Sequence, residues 1–278
     1  MLITGSARGI GASLAERLVE RGAVVALCGL ESGLLAEVSR RCNGAPWWSC
    51  DVTNRTQLAE VVGNVVDRFG GLDVVVANAG VAGQLPLVGG NPEILEQTLA
   101  VNTIGVYNTM WAAAKHVSHP EGYFLVISSL AAAVHLPLLG AYSASKAASE
   151  ALGNTLRIEL RPSGARVGVA YFAELDTEMT SRGFGTDAAK VLTGGGALTR
   201  STPLKVGIDA LERGIMRRSR HIVAPWWVSL ALTLRPVLPQ LVEPIAQRKL
   251  ATALEIARQE VVELTTPQPP LSSGEREK

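Results

Sequence analysis

Tyr142 and Lys146 stand four residues apart in "YSASKAASEALGNTLRIEL". On a helix that spacing puts both side chains on one face. A free phenol has a pKa of ~10 and exchanges its proton poorly at neutral pH. An ammonium held beside it favours the phenolate and lowers that pKa, so Tyr142 could take the proton of a hydroxyl group and return it in the reverse direction.

A second chemistry-bearing stretch lies at the start of the chain, "MLITGSARGIGASLAERL", with glycines at Gly5, Gly9 and Gly11. Residues without a Cβ let backbone amides approach a pyrophosphate, which then rests on the positive end of the helix that follows. The turn heads a strand–turn–helix–strand unit, the context that a dinucleotide site needs.

These groups must be positioned by a larger framework. Short runs rich in Val, Ile and Ala read as buried strands at 23–29, 72–80, 123–129 and 166–172, with further strands at 46–52 and 221–225. Helix-length segments with apolar residues three and four apart lie between them, over roughly 10–22, 32–42, 54–69, 91–119 with a break near Asn102, 141–161 and 203–219. The alternation predicts an α/β fold, a Rossmann-type doubly wound parallel sheet with helices on both faces. The Gly- and Thr-rich segment 174–202 reads as a substrate lid within a catalytic domain of residues 1–225. A helical C-terminal extension is expected over 226–264, and the Pro-rich polar tail 265–278 reads as disordered. The apolar stretch Trp226–Leu234 is far short of the ~20 residues that span a bilayer, so packing or peripheral membrane contact is its expected use.

The turn spacing is T-G-x-x-x-G-x-G, and with Asp51-Val52, the "NAG" of Asn78, Ala79 and Gly80, Asn102, Ser129, Tyr142 and Lys146 following in order, the chain resembles the short-chain dehydrogenase/reductase family over roughly residues 1–225. The resemblance implies an NAD(P)-dependent oxidoreductase that interconverts a secondary alcohol and a ketone. It implies a catalytic set of Tyr142 as acid–base, Lys146 tuning it and holding ribose, Ser129 binding the substrate oxygen and Asn102 kinking its helix and anchoring a water relay. It also implies a cofactor site of Gly5, Ser6, Arg8, Gly9, Ile10, Gly11, Asp51, Val52, Asn78, Ala79, Gly80, Tyr142, Lys146 and Thr177. Strand alternation aims Ser128 away from Ser129. One place departs from the family: Phe172-Ala173 stands where Pro-Gly is common.

The cofactor choice turns on the end of the second strand, where Gly29 and Leu30 occupy the usual acid position. Without a carboxylate there, Arg8 could hold a 2′-phosphate, which favours NADP; Glu31 could instead supply a displaced acid for NAD. The apolar lid residues Met179, Phe184, Val191 and Leu192 point to a bulky lipid or steroid-like substrate. A non-catalytic dinucleotide-binding regulator is the alternative reading.

Composition narrows the partners. Twenty-six Lys and Arg against 25 Asp and Glu give a net charge of +1, which argues against nucleic acid. The basic run at 213–221 reads as a helix end. Three cysteines without C-x-x-C spacing fit reduced thiols in a cytoplasmic chain, and His116 and His119 lack the company a metal site needs. The resemblance implies a homodimer or homotetramer. Only three residues precede the glycine turn, so the first strand is expected to be truncated and the natural start to lie upstream of Met1.

Overall fold

The computed structural model describes residues 1–184, 186–193, 201–238, 240, 243–244, 247–261 and 264. Its frame is a seven-stranded parallel sheet in the order β3-β2-β1-β4-β5-β6-β7. The strands are β1 Leu2–Thr4, β2 Ala26–Gly29, β3 Trp47–Ser49, β4 Val74–Ala77, β5 Tyr123–Ile127, β6 Arg166–Phe172 and β7 His221–Ala224. The order reverses between β1 and β4, and that switch point opens a crevice at the carboxyl ends of the strands.

Alternation along each strand fills two cores. Ile3, Leu27, Val74, Val76, Leu125 and Ala170 face α1 (Gly9–Glu20), α2 (Ser32–Arg41) and α9 (Leu204–Arg217). Leu2, Cys28, Val75, Phe124, Val126 and Val169 face α3 (Arg55–Phe69), α5 (Gly105–Ala113) and α6 (Gly140–Glu159). The inner strands β1, β2, β4 and β5 are therefore apolar on both sides, which is why these runs read as continuous rather than alternating. Local chemistry sets the helix ends. Asn54 accepts a hydrogen bond from Gln57 N at the start of α3, and Gly70, at φ +73°, closes it in the left-handed conformation. Asn91 caps α4 (Pro92–Leu99), whose first residue is a proline with no N–H to satisfy.

The strands are shorter than the apolar runs that announce them. β2 begins at Ala26 rather than 23, because its first partner is the carbonyl of Met1, at 2.8 Å. β4 ends at Ala77 rather than 80, because Asn78 and Ala79 leave the sheet and donate their amides to Thr4 Oγ1. β5 stops at Ile127 and β3 covers only three residues. The first strand is short, as expected, but so are both neighbours: its residues pair with Ala26, Leu27 and Cys28 on one side and with Val75 and Val76 on the other. The Met1 ammonium donates to Val24 O at 2.8 Å.

The 174–202 segment is tied at its base by Asp176 N to Thr202 O and Thr202 N to Glu174 O, both 2.9 Å. It carries α7 (Glu178–Gly183) and α8 (Asp187–Thr193); residues 185 and 194–200 lie outside the described residues. Beyond β7, α10 (Trp227–Thr233) buries Val228 in the second core, and α11 (Leu250–Ala257) packs on α8. The tail 265–278 lies outside the described residues. Among the described residues no helix is long and apolar enough to cross a membrane. Cys28, Cys42 and Cys50 are buried free thiols.

Candidate active site

The crevice at the switch point is a cleft of about 950 Å³. One wall is the glycine turn. Gly5 and Gly9 lie at φ +64° and +54°, and a Cβ on Gly5 would stand 2.7 Å from Ala79 Cα. Glycine is required there both by conformation and by close approach. Thr4 and Asn78 lace the turn to the loop after β4: Thr4 Oγ1 accepts from Asn78 N at 3.0 Å, and Asn78 Nδ2 donates to Thr4 O and Gly5 O at 2.9 and 3.1 Å. Arg8, Gly9 and Ile10 line the cleft at the positive end of α1. The cradle therefore has the open backbone and the dipole that a dinucleotide pyrophosphate needs.

Farther along, Asp51 and Val52 line the cleft as expected, together with Cys50 and Thr53. Asp51 Oδ1 accepts from Thr53 N at 2.8 Å. Asn108, which the sequence reading passed over, holds this loop: its Nδ2 donates to Val52 O and Thr53 O at 2.9 and 3.2 Å, and its Oδ1 accepts from Arg55 Nε at 3.2 Å. The only sign in the sequence is a polar amide in the apolar stretch "GVYNTMWAA".

Two expected contacts do not reach the cleft. Ser6 is fully buried, and its hydroxyl donates to Cys28 O and accepts from Cys28 N, so it pins the turn to β2 instead. Gly11 serves packing: a Cβ there would overlap Gly5 O. Arg8 is present but engaged. Glu31 takes its Nε and Nη2, and Glu178 of α7 takes Nη1 at 2.7 Å.

At the other end, α6 presents Tyr142 and Lys146 to the cleft from one face, with the Lys146 Nζ 5.6 Å from the phenol ring centre. Burial pushes the Tyr142 pKa up to about 12, opposed by a hydrogen bond with Ser129. Burial alone brings Lys146 down to about 8. Its Nζ donates to Ile127 O at 3.0 Å. Ser129 leaves β5 pointing into the cleft, while Ser128 turns the other way and donates to Lys146 O at 2.9 Å. Thr177 caps α7 and lines the cleft, and a Cβ on Gly9 would lie 3.9 Å from its Cβ. Phe172 and Ala173, in place of Pro-Gly, form the adjoining wall; Phe172 O accepts from Ser129 Oγ at 3.4 Å.

Asn102 sits behind this group rather than in the cleft wall. The helical break expected near it is a π-helical segment, Ala100–Ile104. Its Oδ1 accepts from Val81 N at 2.8 Å, and its Nδ2 donates to Val81 O and Ser145 Oγ, both at 2.9 Å. All three bonds are buried, so Asn102 braces the loop after β4 against α6. Gly80 packs closely against both: a Cβ there would lie 3.2 Å from Asn102 Oδ1 and 3.4 Å from Lys146 Nζ. The remaining lining is mostly apolar, with Leu130, Leu136, Leu139, Met179, Phe184 and Leu264, but also includes the polar Gln57, Gln97, Glu174 and Thr180. Phe184 meets the Tyr142 ring edge-on at 5.3 Å.

The family profile described as short chain dehydrogenase matches residues 1–196. The chain is 33% identical to an L-fucose dehydrogenase of Oryctolagus cuniculus over 168 residues, 60% of this chain and 59% of that one, so it spans less than two thirds of that relative's length. It is 28% identical to an 11-beta-hydroxysteroid dehydrogenase-like protein of Arabidopsis thaliana over 250 residues, 87% of this chain and 79% of the relative. A solved short chain dehydrogenase from Burkholderia cenocepacia in complex with NADP shares the fold, with a TM-score of 0.74 at 24% identity over 88% of this chain and 96% of the other. An alcohol dehydrogenase from Thermococcus sibiricus complexed with 5-hydroxy-NADP aligns with a TM-score of 0.68 at 25% identity, over 80% of this chain and 94% of that one.

Proposed function

The chain belongs to the short-chain dehydrogenase family, whose members are oxidoreductases acting on CH–OH donors, and on that premise we propose that it interconverts a bulky apolar secondary alcohol and the matching ketone with NADP. The observation that carries the reading is the convergence of Tyr142, Ser129 and Lys146 in one cleft with the glycine cradle. When bound, a nicotinamide dinucleotide supplies the hydride and, in its oxidised form, a positive ring charge. Tyr142 holds the proton that passes to or from the substrate oxygen. Ser129, hydrogen-bonded to the same phenol, steadies charge on that oxygen. Lys146, brought down to about 8, is still mostly an ammonium at pH 7 and favours the phenolate.

Substrate class follows from the rest of the wall. Leu130, Leu136, Leu139, Met179 and Leu264 outnumber the polar Gln97, Glu174 and Thr180 there, which supports a lipid- or steroid-like ketone. NADP is the cofactor bound by the Burkholderia relative, and Arg8 stands beside the turn, where it would meet a 2′-phosphate once released from Glu31.

Replacing Tyr142 with Phe tests the mechanism. NADP affinity by fluorescence titration should stay within about threefold, while kcat should fall by the ~10²–10⁴-fold typical of losing a general acid. Turnover near the parent rate would overturn it.

A further inference from the structure

β6 runs from one end of the sheet to the other, so Phe172 lines the catalytic cleft while Arg166 stands at the far rim. A second cavity, of about 550 Å³, opens at that rim among the end of α6, the start of β6 and the turn between α9 and β7. Five of its lining residues are arginines, Arg157, Arg161, Arg166, Arg218 and Arg220, and none is acidic.

Arginines in folded proteins are often offset by carboxylates, and several elsewhere in this chain are. Among the described residues, the arginines in ion pairs are Arg8, Arg17, Arg21, Arg41 and Arg235, and none lines this cavity. Three of the cavity arginines, Arg157, Arg166 and Arg218, donate to neutral acceptors instead. Arg157 donates to Val167 O at 2.8 Å, to Asn154 Oδ1 at 2.5 Å and to Arg220 O at 3.3 Å. Arg218 donates to Glu121 O through Nε and Nη2 at 3.2 and 3.1 Å, and to Ile215 O at 2.9 Å. Its backbone, at φ +53°, takes the left-handed conformation that glycine adopts more cheaply, yet an arginine is used there. These bonds fix the Arg157 and Arg218 guanidinium groups without cancelling their charge, while the Arg161 and Arg220 side chains make no hydrogen bond among the described residues. Burial and the charge of Arg220 lower the Arg157 pKa, a sign of like charges crowded together.

Part of the cluster has a simpler use. Arg217 ends α9 and Arg218 follows it, so the basic run does terminate a helix, as its sequence implies. The two helix ends at this rim, of α6 and α9, offer about −0.5 charge each. Five guanidinium groups exceed that, and Arg166 and Arg220 come from strand leads rather than helix ends.

We propose that this cavity binds a small ligand bearing two or more clustered phosphate groups. Guanidinium forks match phosphate oxygens two at a time, and several converging on one cavity select multiple charges over a single carboxylate. The volume suits a nucleotide-sized or smaller molecule. The site is separate from the dinucleotide cleft, which lies at the other end of β6.

Inorganic tripolyphosphate is the probe, titrated calorimetrically into the full chain with the catalytic cleft already saturated by NADP, so that the glycine cradle cannot answer for it. One-to-one binding is expected. The Arg161→Gln/Arg220→Gln variant, whose two side chains make no hydrogen bond among the described residues, should weaken it about tenfold or more while leaving the NADP-induced rise in Tm unchanged. Equal affinity in that variant overturns the proposal, and so does failure of tripolyphosphate to bind. Vesicles containing a bisphosphorylated inositol lipid, compared with its free headgroup, tell the sources apart. Binding of both supports a headgroup as the natural ligand, and binding of the vesicles alone overturns a small-ligand cavity. Capture of duplex nucleic acid without tripolyphosphate binding overturns it likewise.

Discussion

At the scale of single residues, two pairs decide the chemistry. Arg8 is shared by Glu31 and Glu178, so a 2′-phosphate reaching it would meet a guanidinium already partly neutralised and a carboxylate that repels the phosphate. Replacing Glu31 with Gln removes that repulsion and releases part of Arg8. NADP should bind several-fold more tightly, with NAD little changed or weakened; an opposite ordering in paired fluorescence titrations would favour NAD as the natural cofactor. Lys146 makes a prediction about pH. Its pKa is about 8 in the fold, below the ordinary lysine value, so between pH 8 and 10 the unfolded chain binds more protons than the folded one. Stability therefore gains from this group as pH rises through that window. Above pH 10 the raised pKa of Tyr142 acts in the opposite sense. A Lys146→Met variant lacks the gain, so its Tm relative to the parent should be most favourable at pH 7 and should lose ground steadily towards pH 10. A constant difference across that range would show that burial does not depress Lys146.

At the scale of elements, the sequence carried most of the fold and only part of the site. The switch-point sheet was legible because both-face burial leaves long runs of Val, Ile and Ala, and because glycine marks the turn by necessity. Strand ends were not legible, since they depend on partners: Asn78 and Ala79 have strand-like neighbours in sequence but leave the sheet because Thr4 takes their amides. Ser6 was misread for the same reason, its hydroxyl being consumed by β2. Asn102 shows the gap between position and function most clearly. Its place was legible as a break in a helix, yet the bonds to Val81 and Ser145 cross elements 21 and 43 residues away. Replacing Asn102 with Leu would leave Val81 N and Val81 O short of partners inside the protein, while the Ser145 hydroxyl would still donate to Tyr142 O. Each costs about 1–3 kcal/mol when buried and unsatisfied, so a loss of at least about 2 kcal/mol is expected in denaturant melts. The π-helical turn should relax with it, and kcat should fall even where the variant stays folded. A variant with parental stability would mean that the amide is dispensable to the brace.

At the scale of the whole molecule, the C-terminal segment is bound up with the reaction site although it lies beyond the matched family region. Leu264 lines the catalytic cleft and joins a small core with Val81, Leu85, Ile94 and Ala141. Glu260 accepts from Asp187 N at 2.6 Å and from Ala188 N at 3.4 Å, so it caps the first turn of α8. Ala257 buries against Leu138 and Ala188, tying α11 to α8 and to the loop that precedes Tyr142. A carboxylate at a helix start is favourable because it satisfies free amides and meets the positive end of the dipole, a contribution of ~0.5–2 kcal/mol. Glu260→Ala should therefore loosen α8 without touching the sheet. The expected signature is faster hydrogen exchange in 186–193 with β1, β4 and β5 unchanged, together with a higher KM for a bulky apolar ketone and a kcat near the parental value. The split matters: the segment is assigned to closing the apolar end of the cleft, not to proton transfer, so a fall in kcat at constant KM would place it in the wrong step. Deletion of 247–278 should exaggerate the same pattern, since it removes Leu264 from the cleft wall along with the cap.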